Sequence, residues 1–162
     1  METTPIRTAR RADVPSLVLL WTAMLEENAR KEPRLAMHPD ARESALRHLT
    51  ARIDDPSHVV LVAEEAGHLL VGFASGQVSP GPSSRAITRL GQVTDCFVAP
   101  SRRRHGTGRR LATRLFDLLL ERGAEVVRLQ VVAKNASSEA FWLSLDYAPL
   151  EVVLERGPIG PA

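Results

Sequence analysis

The chain has 162 residues, the size of one domain, and its 44% hydrophobic and 25% charged residues are ordinary for a globular protein, so bulk disorder is excluded. Lysine and arginine total 21 against 19 acids, a net charge of +2, yet residues 102–110 alone hold five arginines and no acid, which leaves −3 for everything else. The pI of about 9.2 therefore belongs to one nonapeptide rather than to a basic protein. A single cysteine, Cys96, excludes an intrachain disulfide and a Cys-based zinc site. No apolar run approaches the ~20 residues of a membrane span, and the N-terminus lacks the apolar core of a secretory signal. The expectation is a cytoplasmic protein with no metal and no membrane partner: one domain over 1–157, then a frayed tail at 158–162.

In chain order, residues 6–8 suit a short strand. Asp13 has the character of a helix N-cap with Pro15 just inside, and apolar residues at helical spacing carry a helix over 14–31. Pro33 stops it. A second helix is expected over about 40–53. Residues 58–64 and 68–78 read as strands around an Ala66-Gly67 turn, the pattern of a hairpin, with a loop over 79–84. A strand over 90–98, a helix over 107–122 and a nearly continuous apolar strand over 126–132 form a βαβ unit whose two strands should be parallel. A helix over 135–145 and a last strand over 150–154 complete a mixed α/β sheet domain.

The basic loop joins a strand to a helix. The first turn of a helix has backbone N–H groups without intrahelical partners and lies at the positive end of the helix dipole. Gly106 and Gly108 let a ligand approach the backbone, and arginines add charged donors, so the loop suits a phosphate or pyrophosphate. No Walker string occurs. A dinucleotide loop needs a third glycine where Leu111 stands.

Val98, Pro100, Arg103, Gly106 and Gly108 together resemble the acyl-CoA motif of GCN5-related N-acetyltransferases, Arg/Gln-x-x-Gly-x-Gly/Ala after a strand ending Val-x-Pro. Asn135, Ser138, Trp142 and the Asp146-Tyr147 pair are similar to a second element of that family, and the resemblance covers nearly the whole chain. It implies an α/β (α+β) fold with a mostly antiparallel mixed sheet, a splayed parallel strand pair and flanking helices. It implies acetyl-CoA as co-substrate, its pantetheine arm against Cys96, Phe97 and Val98. The pyrophosphate would lie on the backbone amides of Arg103, Arg104, His105, Gly106, Thr107, Gly108 and Arg109, with Asn135, Ser138 and Trp142 completing the site. The acceptor would be a primary amine, small-molecule or peptide, in a pocket of the first two helices, the 79–89 loop and the last strand. A homodimer is an expectation from the resemblance alone.

A free alkyl amine has a pKa near ~10.4, so deprotonation at neutral pH costs ~4 kcal/mol. Asp95 is the candidate base. It and Gln92 point to opposite faces in a regular strand, and a bulge would change that parity. The family often places a tyrosine acid where this chain has Trp142, whose indole has no useful acidity, so Tyr147 is the candidate acid. Two other readings stay open: an acyl-CoA sensor of the same fold without turnover, favoured by Trp142, and a nucleic-acid binder, disfavoured because the basic loop lacks interleaved aromatics. Cys96 reads as a buried strand residue, His38 as a loop residue, and Glu26 and Glu27 as a solvated helix face or an attractor of a cationic amine.

Overall fold

Apolar residues alternate along the central strands so that both faces of the sheet are covered. In β2 (His58–Glu65), Val59, Leu61 and Ala63 pack with Leu111, Leu115 and Leu119 on one side, while Val60 and Val62 pack with Leu17, Ala45 and Leu49 on the other. The computed structural model describes residues 4–157. Its sheet has the order β1 (Ile6–Thr8), β2, β3 (Leu69–Pro80), β4 (Arg89–Val98) and β5 (Val126–Arg128). The first four strands are antiparallel and β4 pairs with β5 in parallel. Helices α1 (Val14–Lys31) and α2 (Ala41–Asp54) cover one face, and α3 (Thr107–Glu121) covers the other, joined there by Trp142 of α4 (Ala136–Leu143). Each fully buried leucine contributes ~1.5–3 kcal/mol, so the two clusters hold the sheet between layers and leave its parallel end as the place where order can be interrupted.

Three local expectations change. The strand expected over 126–132 is only Val126–Arg128, because β4 turns away and leaves residues 129–132 without a ladder partner. Residues 150–154 form no strand. Leu150, Val152, Val153 and Leu154 are exposed, Leu154 at 90%, and the Arg85–Glu151 ion pair at 2.5 Å ties the segment to the 81–88 loop instead. Asp13 does stand at the N-cap of α1, but its carboxylate accepts from the Arg10 amide at 2.6 Å and from Arg7 rather than from the helix. The tail expected at 158–162 lies outside the described residues.

Candidate active site

The parallel pairing of β4 and β5 runs only from Leu90↔Val126 to Gln92↔Arg128. Beyond it, the outer backbone edge of residues 93–98 is not paired with β5. The cause lies next to the last rung. Ser75 pairs with Asp95 and Gly76 with Val93, so Thr94 is an extra residue, a β-bulge. Bulges bend a strand and raise its twist, which carries β4 away from β5. The bulge also resets the alternation. Val93 packs in the α3 cluster, whereas Asp95, two positions on, reaches Arg52 of α2 on the opposite face. Asp95 therefore joins Gln92 on one face.

At the C-terminal end of β4 the chain enters the basic loop. Arg104 has φ +69° and Gly106 has φ +77°, both left-handed, and Gly106 is the N-cap of α3. Nothing lies within 4 Å of a Cβ built on Gly106, and one built on Gly108 meets Phe141 and Val98 at 3.7 Å, ordinary contact. Packing does not demand glycine at 108, so the open space before the first turn of α3 fits a ligand lying on the backbone. The amides of Thr107, Gly108 and Arg109 face that space without intrahelical acceptors.

Most of the arginine side chains of this loop have protein partners. Arg102 binds both oxygens of Glu65 at 3.0 Å, Arg109 donates to the Ser144 carbonyl at 3.2 Å, and Arg110 donates to the Thr4 carbonyl at 2.8 Å. Arg103 donates through Nε to the Val98 carbonyl at 2.8 Å and through its terminal nitrogens to Glu27 at 2.6 and 3.3 Å, with its guanidinium 5.2 Å from the Phe97 ring centre. Among the described residues, Arg104 is the member of the five whose side chain has no protein hydrogen-bond partner; it and His105 are exposed.

Cys96 and Tyr147 meet on the α3 side of the opened edge. Tyr147 stacks edge-to-face on Trp142, with ring centres 5.3 Å apart, and more distantly on Phe116 at 6.4 Å. Its buried hydroxyl has no hydrogen-bond partner among the described residues. Burial pushes the Tyr147 phenol up to about 12, with Cys96 adding to it, and pushes the Cys96 thiol up to about 12, with Asp95 adding to that. Both groups hold their protons more tightly folded than unfolded, where they titrate near 10 and 9. The stability they contribute is complete below pH 9 and is lost as pH climbs toward 12. Urea unfolding at pH 8 and pH 10.5 should show that loss, and Cys96→Ala should reduce it.

Asp95 is buried and salt-bridged. Its Oδ2 accepts from Arg52 at 2.6 Å and from the Ser75 hydroxyl at 2.7 Å, and Ser75 also contacts the Thr94 hydroxyl at 2.7 Å. Both protein bonds fall on Oδ2, which leaves Oδ1 for another partner. Arg52 also lines a surface cavity of about 310 Å³ with His48, Ala51, Asp55 and His58, so the cavity and Asp95 share one guanidinium. Arg52→Met would leave a buried carboxylate without its counter-charge and should cost ~3 kcal/mol in chemical denaturation. A change under ~0.5 kcal/mol would show that the pair contributes no more than an exposed one.

Sequence reasoning did not find Arg52, Ser75 or Lys31, and it named Glu27 only as a solvated residue or an attractor of a cationic amine. Glu27 does not present a free carboxylate to an amine; Arg103 and Lys31 flank it and hold it below the usual carboxylate range. Lys31 donates to Glu27 at 3.0 Å and to Asn135 Oδ1 at 2.8 Å. Asn135 also caps α4, accepting from the Ser138 amide at 3.2 Å.

The model of the "Acetyltransferase (GNAT) family" matches residues 21–147. The chain belongs to this family. An uncharacterised N-acetyltransferase of Bacillus subtilis, YhfO, is 32% identical over 100 residues, 62% of this chain and 65% of that protein, so the match spans just under two thirds of the relative. Two solved structures share the fold at 17% identity. A mutant of the BH1408 protein from Bacillus halodurans superposes with a TM-score of 0.85 over 96% of this chain and 99% of that one. A predicted acetyltransferase from Clostridium acetobutylicum, solved with acetyl-CoA, gives 0.79 over 96% of each chain. The GNAT fold is thus present, with its parallel pair opened beside the bulge. No helix among the described residues is long and apolar enough to cross a membrane.

Proposed function

We propose that this GNAT chain transfers the acetyl group of acetyl-CoA to a primary amine by direct attack in a ternary complex. The observation that carries the reading is the unpaired edge of β4 beside a helix N-terminus with open space before it. Family membership and a fold neighbour solved with acetyl-CoA support the same co-substrate. Bound there, acetyl-CoA supplies a thioester whose carbonyl an amine attacks, forming a C–N bond as the C–S bond breaks. The edge of Cys96, Phe97 and Val98 offers backbone groups to an extended arm, and the amides of Arg103 to Arg109 hold negative charge. Asn135 offers an amide, and Trp142 and Ser138 shape the far wall.

Two residues move protons in this reading. Asp95 Oδ1 takes the proton that the amine gives up, directly or through water, while Arg52 and Ser75 hold Oδ2. Tyr147, a neutral phenol across the physiological range, donates to the departing sulfur. The acceptor approaches on the α1/α2 side through the cavity at His48, Arg52 and His58.

The deciding experiment is thiol release from acetyl-CoA against a panel of amines. Amine-dependent release is expected, and Asp95→Asn should lower kcat by about a hundredfold, within the range for general base catalysis. The rival reading, an acyl-CoA sensor, rests on Trp142 at the position where the family often has its tyrosine. It predicts binding of acetyl-CoA with no release across the panel.

A further inference from the structure

The chain has only two lysines among 21 basic residues, and both lie at one junction. Lys134 reaches Glu32 at 3.2 Å, and Lys31 joins Glu27 to Asn135. Both contacts tie the C-terminal end of α1 to the segment that leads from β5 into α4. A second set of bonds ties the same helix end to the other side of the opening. Arg103, just beyond β4, holds the Val98 carbonyl and Glu27. A continuous chain therefore runs from Val98 through Arg103, Glu27 and Lys31 to Asn135, across the gap where β4 and β5 have parted.

The polarity of this chain matters at its last member. Three donors converge on Asn135 Oδ1: Lys31 Nζ at 2.8 Å, the Ser137 hydroxyl at 3.0 Å and the Ser138 amide at 3.2 Å. A carboxamide has one acceptor oxygen and two N–H donors on opposite sides. An ammonium cannot lie against the NH2 side, so Lys31 acts with the Ser138 amide in fixing which way the Asn135 amide is turned. Nδ2 is left to donate away from α1. A lysine suits the place because its ammonium is a compact charge that can bridge a carboxylate and a carbonyl oxygen, which a planar guanidinium does less well. Lys31 is half-buried, with its side chain 27% exposed, so solvent screens the bridge only in part.

We propose that Lys31 is a positioning residue for acetyl-CoA, acting through Asn135: it holds the amide oxygen so that the Asn135 NH2 group donates to an acceptor oxygen of the pantetheine arm. Glu27 supports it by fixing the ammonium and by holding Arg103 on the facing side. This rests on the acetyl-CoA site proposed above.

The test is calorimetric titration of the whole protein with acetyl-CoA, paired with steady-state kinetics. Lys31→Met should weaken acetyl-CoA binding about tenfold, as loss of one oriented charge-supported hydrogen bond implies. KM for acetyl-CoA should rise in step, while kcat at saturation stays within about twofold. In an Asn135→Ala background the same substitution should add nothing, because its target is gone. Lys31→Ala, read in the same way, covers any disturbance of α1 by methionine. Binding within twofold of the unsubstituted protein overturns the proposal. So does a loss that is additive with Asn135→Ala, since Lys31 would then act by another route. Failure of the unsubstituted protein to bind acetyl-CoA overturns the site itself, a different result from binding that ignores Lys31.

Discussion

Gly108→Asp is expected to abolish acetyl-CoA binding while leaving the fold at least as stable. The two effects have opposite signs for reasons that can be separated. A Cβ at 108 meets its nearest neighbours at 3.7 Å, so the protein has room for it. Position 108 is the second residue of α3, where a carboxylate interacts favourably with the helix dipole by ~0.3–1 kcal/mol. Replacing glycine by aspartate within a helix adds little more, because aspartate ranks only just above glycine in helix propensity. The same carboxylate would stand against the phosphates that these amides are proposed to hold. Losing two charge-assisted hydrogen bonds alone weakens binding at least a hundredfold. Titration calorimetry and a melting curve on one sample measure both effects. Gly108→Ala should fall between, with the steric part of the loss and none of the charge. Retained affinity in Gly108→Asp would remove the proposed phosphate site.

Tyr147→Phe should raise stability and lower turnover. The hydroxyl is buried and unpartnered, and such a group costs ~1–3 kcal/mol relative to one that is hydrogen-bonded or absent. Removing it while keeping the ring preserves the edge-to-face contact with Trp142. Stability should rise by about 1 kcal/mol on those grounds. If the phenol donates to the departing sulfur, kcat should fall by about a hundredfold with little change in KM for acetyl-CoA. An unchanged kcat would leave Tyr147 as a core residue and pass the proton to solvent. The orphan hydroxyl is then a local instability retained at the place where a proton donor is useful.

Much of this arrangement was legible in the sequence because it is local. The glycines of the basic loop and the strand-helix-strand order around them depend on residues close in the chain, where turn chemistry and apolar spacing decide the outcome. The parts that were not legible depend on distance. Asp95 and Arg52 are separated by 43 positions, and Lys31 and Asn135 by 104, so no spacing rule connects them. The arginine-rich loop read as a pool of phosphate ligands because charge can be counted, whereas the partners that claim Arg102, Arg103, Arg109 and Arg110 belong to other segments. The apolar run at 126–132 has the composition of a buried strand throughout, but a ladder needs a neighbour, and the neighbour bends away after Gln92. Residues 150–154 show the same limit: strand-forming composition does not by itself pair them with the outer edge of β5.

Thr94 makes β4 a strand with two reading frames. Upstream of it, odd-numbered residues such as Val93 belong to the α3 layer; downstream, even-numbered residues such as Cys96 and Val98 do. Pairing Thr94 into a regular ladder would restore a single frame and exchange every side chain beyond it between layers, whereas deleting it would leave each in its present layer. In that regular ladder Asp95 would be driven among the leucines of α3 and Phe97 would leave the α1/α2 layer, with no substitution at either position. The bulge at this one position therefore constrains the protein as strongly as the identity of any residue on the strand.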